Sequence, residues 1–249
     1  MKKLLVLLTM ALLLLPNAFA QQSCGTVKDY DGNTYRTVQI GSQCWMAENL
    51  RTTHYSNGTS IPQGNSESET TGYWYYPDGN SGNKRTYGLL YNWPAVMHGS
   101  SSSSSNPSGV QGICPVGWHV PSDAEWTQLT SYVKGHNEYV CPGCSGTDDE
   151  WTTFCIAKAL ASTSGWMSDT DPCAVGNDQN SNNATGFSAV PAGRYNGSVG
   201  YFGGFAYFWS ATQYYSSTAY YRPLSYRGAG VSRPNIYKNY GCSVRCVRD

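Results

Sequence analysis

The sequence predicts an α+β domain with two helices, short strands and long loops. A helix is predicted over residues 122–134, where a serine is followed three positions later by a glutamate, the pattern of a capping box. Apolar residues then recur at helical spacing, and a second apolar stretch at 154–162 predicts a shorter helix. Elsewhere glycine, serine, asparagine and tyrosine are plentiful. That composition is typical of loop-rich extracellular β structure.

Residues 1–20 have the pattern of an export signal. Lys2 and Lys3 precede an apolar run, and Ala18-Phe19-Ala20 fits the small-x-small rule for cleavage. The run is too short to span a bilayer, and no later segment approaches about 18 apolar residues. A lipid anchor on Cys24 is less favoured, because the residues before it suit that processing poorly. We expect one exported domain over residues 21–249, secreted or at the outer cell surface, without a membrane span.

The net charge argues against polyanionic partners. Without Lys2 and Lys3 the chain keeps 14 basic and 16 acidic residues, a formal net charge of −2. This balance gives no support to binding of nucleic acid or of an anionic membrane.

All nine cysteines follow the export signal, and export makes disulfides their expected state. Because nine is odd, at least one thiol is free or pairs outside the chain. Cys141 and Cys144 form a C-P-G-C pair, which can also indicate zinc or thioredoxin-like redox chemistry. The sequence shows neither a reducing zinc setting nor a βαβ context, so structural disulfides are favoured.

Residues 26–50 are predicted to begin with a β-hairpin. Two strand-like segments flank Asp31-Gly32, a turn pair suited to positive φ. The spacing of Asp29, Asp31 and Asn33 also suggests calcium, but no glutamate follows at EF-hand distance. The hairpin turn is the favoured interpretation.

The middle of the chain predicts loops and buried segments. Residues 52–85 are expected to form long loops around one aromatic strand at 73–76, and residues 87–97 are apolar enough to be buried. The loop at 177–183 is rich in asparagine and aspartate, which usually form turns. Its oxygens are also weak calcium candidates, at Asn177, Asp178 and Asn180.

Residues 195–240 differ from the rest of the chain in composition. They hold ten of the twenty tyrosines and no acidic residue. Tyrosine and arginine among small polar residues are typical of antibody-like contact surfaces. Half of the rings can instead alternate into a β-sheet core, and both interpretations can hold together. We predict a ligand face at about 209–240 that comprises Trp209, Tyr214, Tyr215, Tyr220, Tyr221, Arg222, Tyr226, Arg227, Arg233, Asn235, Tyr237, Asn239 and Tyr240.

Six ordered blocks resemble the Fibrobacter succinogenes major paralogous domain: DGNTYRTVQIGSQCWMAENLRT, YGLLYNWPAVM, GICPVGWHVPSDAEW, NNATGFSAVPAGRY, YFWSAT and GCSVRCVRD. The resemblance covers nearly all of residues 21–249. It implies a C-type lectin-like fold, shared with formylglycine-generating enzymes and with variable proteins of diversity-generating retroelements. In that fold two helices pack on small antiparallel sheets, the termini lie close together, and long loops present ligands.

The resemblance also implies a map of disulfides that braces the domain. As in C-type lectins, one bond would join the first helix to the last strand, and Cys242 would remain the unpaired thiol. The implied pairs are Cys114–Cys246, Cys24–Cys44, Cys141–Cys173 and Cys144–Cys155.

The resemblance leaves the function open. Sugar-binding C-type lectins hold calcium with Glu-Pro-Asn or Gln-Pro-Asp and Trp-Asn-Asp, whereas this chain has only Arg233-Pro234-Asn235. The redox-active cysteine pair of formylglycine-generating enzymes cannot be placed, and the four histidines show no ligand or triad spacing. We favour a module that binds an extracellular glycan or protein and is not an enzyme. Its tyrosine-rich face also suits a receptor that a retroelement diversifies. A structural cell-surface protein is the second hypothesis, and a formylglycine-generating-type enzyme is the third.

Overall fold

The computed structural model describes residues 22–150 and 152–249, so the predicted export signal at 1–20 lies outside the described residues. The described α-helices are α1 Lys84–Tyr87, α2 Trp93–Met97, α3 Asp123–Lys134 and α4 Ala157–Leu160. The strands are β1 Thr26–Lys28, β2 Thr34–Ile40, β3 Gln43–Met46, β4 Trp74–Tyr75, β5 Leu90–Tyr91, β6 Trp118–His119, β7 Thr152–Thr153, β8 Arg194–Tyr195, β9 Val199–Gly200, β10 Phe205–Tyr215, β11 Thr218–Ser225, β12 Val231–Ser232, β13 Asn235–Tyr237 and β14 Val247–Arg248. The protein is thus a mixed α and β structure, with antiparallel pairing between these strands.

One sheet joins the first strand of the described chain to the last. Its strand order is β1-β2-β3-β14-β6. β1 and β2 form the predicted hairpin, with Val27 opposite Tyr35. In the turn, the Asp29 carboxylate accepts hydrogen bonds from the Asn33 backbone and side-chain nitrogens at 2.9 and 2.8 Å. Val247 of β14 pairs with Trp45 on one side and His119 on the other.

A second sheet, in the order β10-β11-β13, lies between two hydrophobic cores. Phe208 of β10 packs against Trp126 of α3, with ring centres 5.6 Å apart. Tyr207 and Trp209 point to the opposite face and pack in the core that contains Trp93. Most of this sheet is therefore covered on both faces, which decides which of its side chains can meet a ligand.

The predicted helix at 122–134 is confirmed as α3, with Ser122 as its N-cap. The Ser122 hydroxyl accepts from the Glu125 backbone N–H at 3.2 Å, and the Ser122 N–H donates to the Glu125 carboxylate at 2.9 Å. Trp126, Leu129 and Val133 are buried along one face. This closed capping box fixes the helix start locally, as the sequence predicts.

The second predicted helix, at 154–162, is only the single turn α4. Cys155 has a φ of 68°, in the left-handed region, so the helix cannot begin before it. Ala161 is extended and forms a β-bridge to Ala189, which ends the helix. The predicted length is wrong because contacts distant in sequence override the local apolar pattern.

The described chain contains four disulfides, and all four implied pairs are present: Cys24–Cys44, Cys114–Cys246, Cys141–Cys173 and Cys144–Cys155. Cys242 is the free cysteine and is buried. The Cys114–Cys246 bond links the segment before α3 to the last strand region. Two further bonds brace the loops around α4.

Candidate functional site

The predicted ligand face at 209–240 is divided by the second sheet, and three of its members are interior. Trp209 is 0% exposed, and its indole N–H donates to the Tyr91 carbonyl at 2.7 Å. Tyr221 is also buried, and burial raises the pKa of its phenol to about 12. Arg222 is 2% exposed. The prediction is wrong for these three residues, because both faces of the sheet are packed at their positions.

Arg222 instead belongs to a buried ion network at the start of α3. Its guanidinium bonds the Asp123 carboxylate at 2.6 Å and the Asp123 carbonyl at 3.1 Å. Arg233 bonds the other carboxylate oxygen at 2.7 Å. Burial lowers the pKa of Arg222, and the Asp123 charge opposes that shift. Two predicted ligand residues are therefore engaged in holding the sheet to the helix.

We call one exposed aromatic group of the predicted face the Tyr214 cluster. It comprises Tyr214, Tyr215, Tyr220 and Arg233. The Tyr214 ring centre lies 4.3 Å from that of Tyr215 and 5.1 Å from that of Tyr220. The Arg233 guanidinium lies 4.5 Å above the Tyr220 ring, and Tyr215 is 63% exposed. Asn235 is paired with Tyr220 in the neighbouring strand.

Tyr226 and Arg227 lie elsewhere, beside the disulfide-braced loops. The Arg227 guanidinium stacks on the Tyr226 ring at 5.0 Å, and Arg227 lines a cavity of about 510 Å³. Its nearest carboxylate is Asp169, at 3.9 Å. The exposed members of the predicted face thus fall into three groups, and this group is connected to the third through Phe205, whose ring centre lies 6.5 Å from that of Tyr226.

The third group surrounds a single arginine, and we call it the Arg194 surface. The Arg194 guanidinium carbon lies 4.7 Å from the ring centre of Tyr201, 5.4 Å from that of Tyr207 and 5.3 Å from that of Tyr240. Tyr201 is 50% exposed. Phe205 stacks on Tyr207 with ring centres 5.5 Å apart. Three tyrosine rings thus gather around one cation, and Phe205 packs against one of these rings.

Arg194 has no carboxylate partner among the residues that the structure describes. Its Nε is buried without a hydrogen-bond partner. Asn239, next to Tyr240 in the chain, has a buried Oδ1 that is also unpartnered, while its Nδ2 donates to Glu67 at 3.0 Å. Native proteins pair nearly all buried polar atoms. The two unpaired atoms near Tyr240 are therefore an unusual feature of this surface.

The sequence identifies only part of the Arg194 surface. Tyr240 and Asn239 are in the predicted face, and Tyr237 lies beside them with its ring centre 5.8 Å from that of Tyr240. Arg194 and Tyr201 were missed because they precede the predicted range. The tyrosine-rich composition that starts at residue 195 is the available signal: a range extended to that edge includes Tyr201, whereas Arg194 lies one residue before it.

The candidate calcium loop is held by a lysine. The Lys158 ammonium donates to the carbonyl of Asn177, and it lies 3.4 Å from the carbonyls of Ala174 and Asp178. Burial lowers the pKa of this ammonium, and the Asp178 charge opposes the shift. A protein cation therefore already occupies the carbonyl oxygens of two of the three candidates; Asn180 lies on the exposed side of the loop.

Two histidines elsewhere in the described chain are bonded to carboxylates. His119 lies between Glu125 and Asp249, with both nitrogen–oxygen distances at 2.6 Å. His54 bonds Asp31 at 2.5 Å. Burial raises the pKa of the Cys242 thiol well above its ordinary value, which disfavours the nucleophilic thiolate. Within residues 22–150 and 152–249 there is no group of three or more His, Cys, Asp or Glu side chains placed to hold a metal.

Comparison with known proteins gives a family. The described residues include no helix that is long and apolar enough to cross a membrane. Searches of curated proteins and of solved structures found no match. The Fibrobacter succinogenes major domain matches residues 38–248, which is most of the chain. The chain therefore belongs to the Fibrobacter succinogenes major domain family.

Proposed function

We propose that the protein is an extracellular binding module that recognises a saccharide at the Arg194 surface. The observation that carries this proposal is the Arg194 guanidinium, which lies against three tyrosine rings and whose Nε is buried without a hydrogen-bond partner in the described part of the chain. A buried guanidinium nitrogen without a hydrogen-bond partner costs stability. A ligand oxygen that accepts its hydrogen bonds would remove that cost.

The chemistry of the rings suits a saccharide. Tyrosine offers a flat apolar face together with a hydroxyl that can donate or accept a hydrogen bond. Tyr201 and Tyr237 are half exposed, at 50% and 53%, so part of each side chain is accessible to a sugar. Arginine presents planar donors that fit a carboxylate or a pair of hydroxyls. Stacking would supply affinity, and the guanidinium would orient the ligand.

The disulfides and the family support an exported module. Four disulfides are expected in an oxidising compartment and are rare in the cytosol. We also propose that the fold is C-type lectin-like, which is supported by the Cys114–Cys246 bond and by the shared sheet of β1 and β14. A fold does not determine a ligand, so the saccharide assignment depends on the Arg194 surface alone.

A glycan-array assay on the oxidised protein tests the proposal. The array is read with calcium and with chelator, for wild type, Arg194→Met, Tyr201→Ala and the matched control Tyr215→Ala. We expect binding that survives chelation, is lost in the first two variants and is kept in the control. A loss of glycan binding only in Tyr215→Ala would indicate that the binding site is the Tyr214 cluster. Absence of binding to all glycans would contradict a saccharide ligand and favour the structural cell-surface hypothesis.

A further inference from the structure

A separate cleft lies between the β1–β2 turn and α1. It has a volume of about 510 Å³ and is lined by Asn33, Thr34, Arg51, Ser81, Lys84 and Arg85, together with glycines. This volume lies within the range of small-molecule sites. Side chains with hydroxyl and amide groups line the cleft together with the cations. The cleft contains no member of the Arg194 surface.

The charge of the cleft is one-sided. Three of its lining side chains are cationic and none is acidic. Arg51 is held in place, because it bonds Glu48 at 3.2 Å and the Thr34 carbonyl at 2.8 Å. Lys84 and Arg85 have no ion pair among the described residues. Two cations are thus available to a ligand.

The acidic residues of the neighbouring turn are already engaged. The Asp29 carboxylate accepts from Asn33 and from the Tyr35 hydroxyl, the latter at 2.5 Å. The Asp31 carboxylate accepts from the Thr53 backbone at 2.6 Å and contacts His54. Among the described residues, neither carboxylate forms an ion pair with Lys84 or Arg85.

The basic character continues beyond the cleft. Arg85 also lines an adjoining cavity of about 240 Å³, whose wall includes Arg36, Glu48 and Arg245. Glu48 is the acidic residue of that wall, and Arg36 and Arg51 already bond it at 3.0 and 3.2 Å. The two cavities together keep an excess of positive charge in a protein whose overall charge is balanced.

We propose that this cleft binds the anionic group of a small ligand, a sulfate, phosphate or carboxylate, between Lys84 and Arg85. Charge-assisted hydrogen bonds to oxyanions are about twice as strong as neutral ones. Thr34, Ser81 and Asn33 would meet the neutral polar groups around the anion. The small number of cations and the balanced net charge fit a single anionic group rather than a polyanion. This site is independent of the Arg194 surface.

Amide chemical-shift titration by NMR tests the proposal on the intact oxidised protein. The probes are inorganic sulfate, inorganic phosphate and glucuronate, each at constant ionic strength, so that the sources of the anion are distinguished. We expect saturable shifts of the amides of the cleft glycines, Gly32 and Gly82, with at least one probe. In Lys84→Gln/Arg85→Gln the affinity should fall at least about tenfold, because two charge-assisted hydrogen bonds are lost.

Controls separate this site from charge effects and from the Arg194 surface. Arg248→Gln removes an exposed cation that does not line the cleft, and it should leave the titration unchanged. Arg194→Met should also leave it unchanged. Saturable shifts that persist in the double variant, or no saturable shift with any probe, would overturn the proposal. The unperturbed part of the spectrum reports whether each variant is folded.

Discussion

The guanidinium of Arg194 lies over the ring of Tyr201, 4.7 Å from its centre, and no carboxylate among the described residues balances its charge. Arg222, twenty-eight residues later, is the opposite case, since Asp123 binds it at 2.6 Å. Both arginines lie in or next to the tyrosine-rich segment, but their roles differ. We expect the loss of stability to be small when Arg194 is substituted and large when the Asp123–Arg222 pair is broken.

Substitution of Arg194 by methionine should have little effect on stability. It removes cation–π contacts, which contribute about 0.5–1 kcal/mol each at exposed sites, but it also removes a buried unpartnered Nε. We expect the free energy of unfolding to change by less than about 1 kcal/mol, measured by urea denaturation. A loss of several kcal/mol would show that Arg194 serves the fold rather than a ligand.

Substitution of Asp123 by asparagine should be strongly destabilising. Arg222 would then be buried without its carboxylate and next to the like charge of Arg233. Breaking a buried pair by removing one partner costs about 3–5 kcal/mol, and we expect a loss in that range in urea denaturation. The double variant Asp123→Leu/Arg222→Met should be clearly more stable than Asp123→Asn. Equal stabilities would contradict a buried, coupled pair.

These contrasts show what the sequence could predict. The capping box of Ser122 and Glu125 and the Asp31-Gly32 turn depend on neighbouring residues, so the local pattern is sufficient for them. The burial of Trp209 depends on whether the second face of its sheet is covered, and that is decided by residues about a hundred positions away, such as Tyr91. The Arg194 surface likewise joins residues from 194 to 240, and composition alone could not assemble it.

Stability should decrease as the pH rises because of His119. Burial opposes its protonation, but hydrogen bonds and charges from Glu125 and Asp249 outweigh burial and raise its pKa above 6.5. The protonated form is favoured by folding, so its contribution is complete below pH 6.5 and is lost as the pH rises through the folded-state pKa.

The measurement for His119 is the free energy of unfolding between about pH 6 and pH 9. We expect a decline with pH in wild type and a smaller slope in His119→Gln. Glutamine keeps one amide donor but does not titrate, so the slope isolates the charge. An unchanged slope in the variant would mean that other groups cause the pH dependence.

The Asn177–Asn183 loop should not respond to calcium while Lys158 is present. The ammonium already contacts the carbonyls of Ala174, Asn177 and Asp178, and a second cation there would be repelled. We expect the melting temperature of wild type to be equal in calcium and in chelator. Lys158→Met should lower the free energy of unfolding by about 1–3 kcal/mol, because it leaves these carbonyls without a donor. A calcium-dependent rise in wild type would instead support the calcium site.

The central claim is that Arg194 and its tyrosines meet a ligand, and isothermal titration tests it most directly. The glycan with the strongest array signal is titrated into wild type, Arg194→Met and the control Tyr215→Ala, each checked for equal stability. We expect binding in wild type and in Tyr215→Ala, and a loss of at least about tenfold in affinity in Arg194→Met, since a charge-assisted hydrogen bond is removed. Equal affinity in wild type and Arg194→Met would contradict the proposed site.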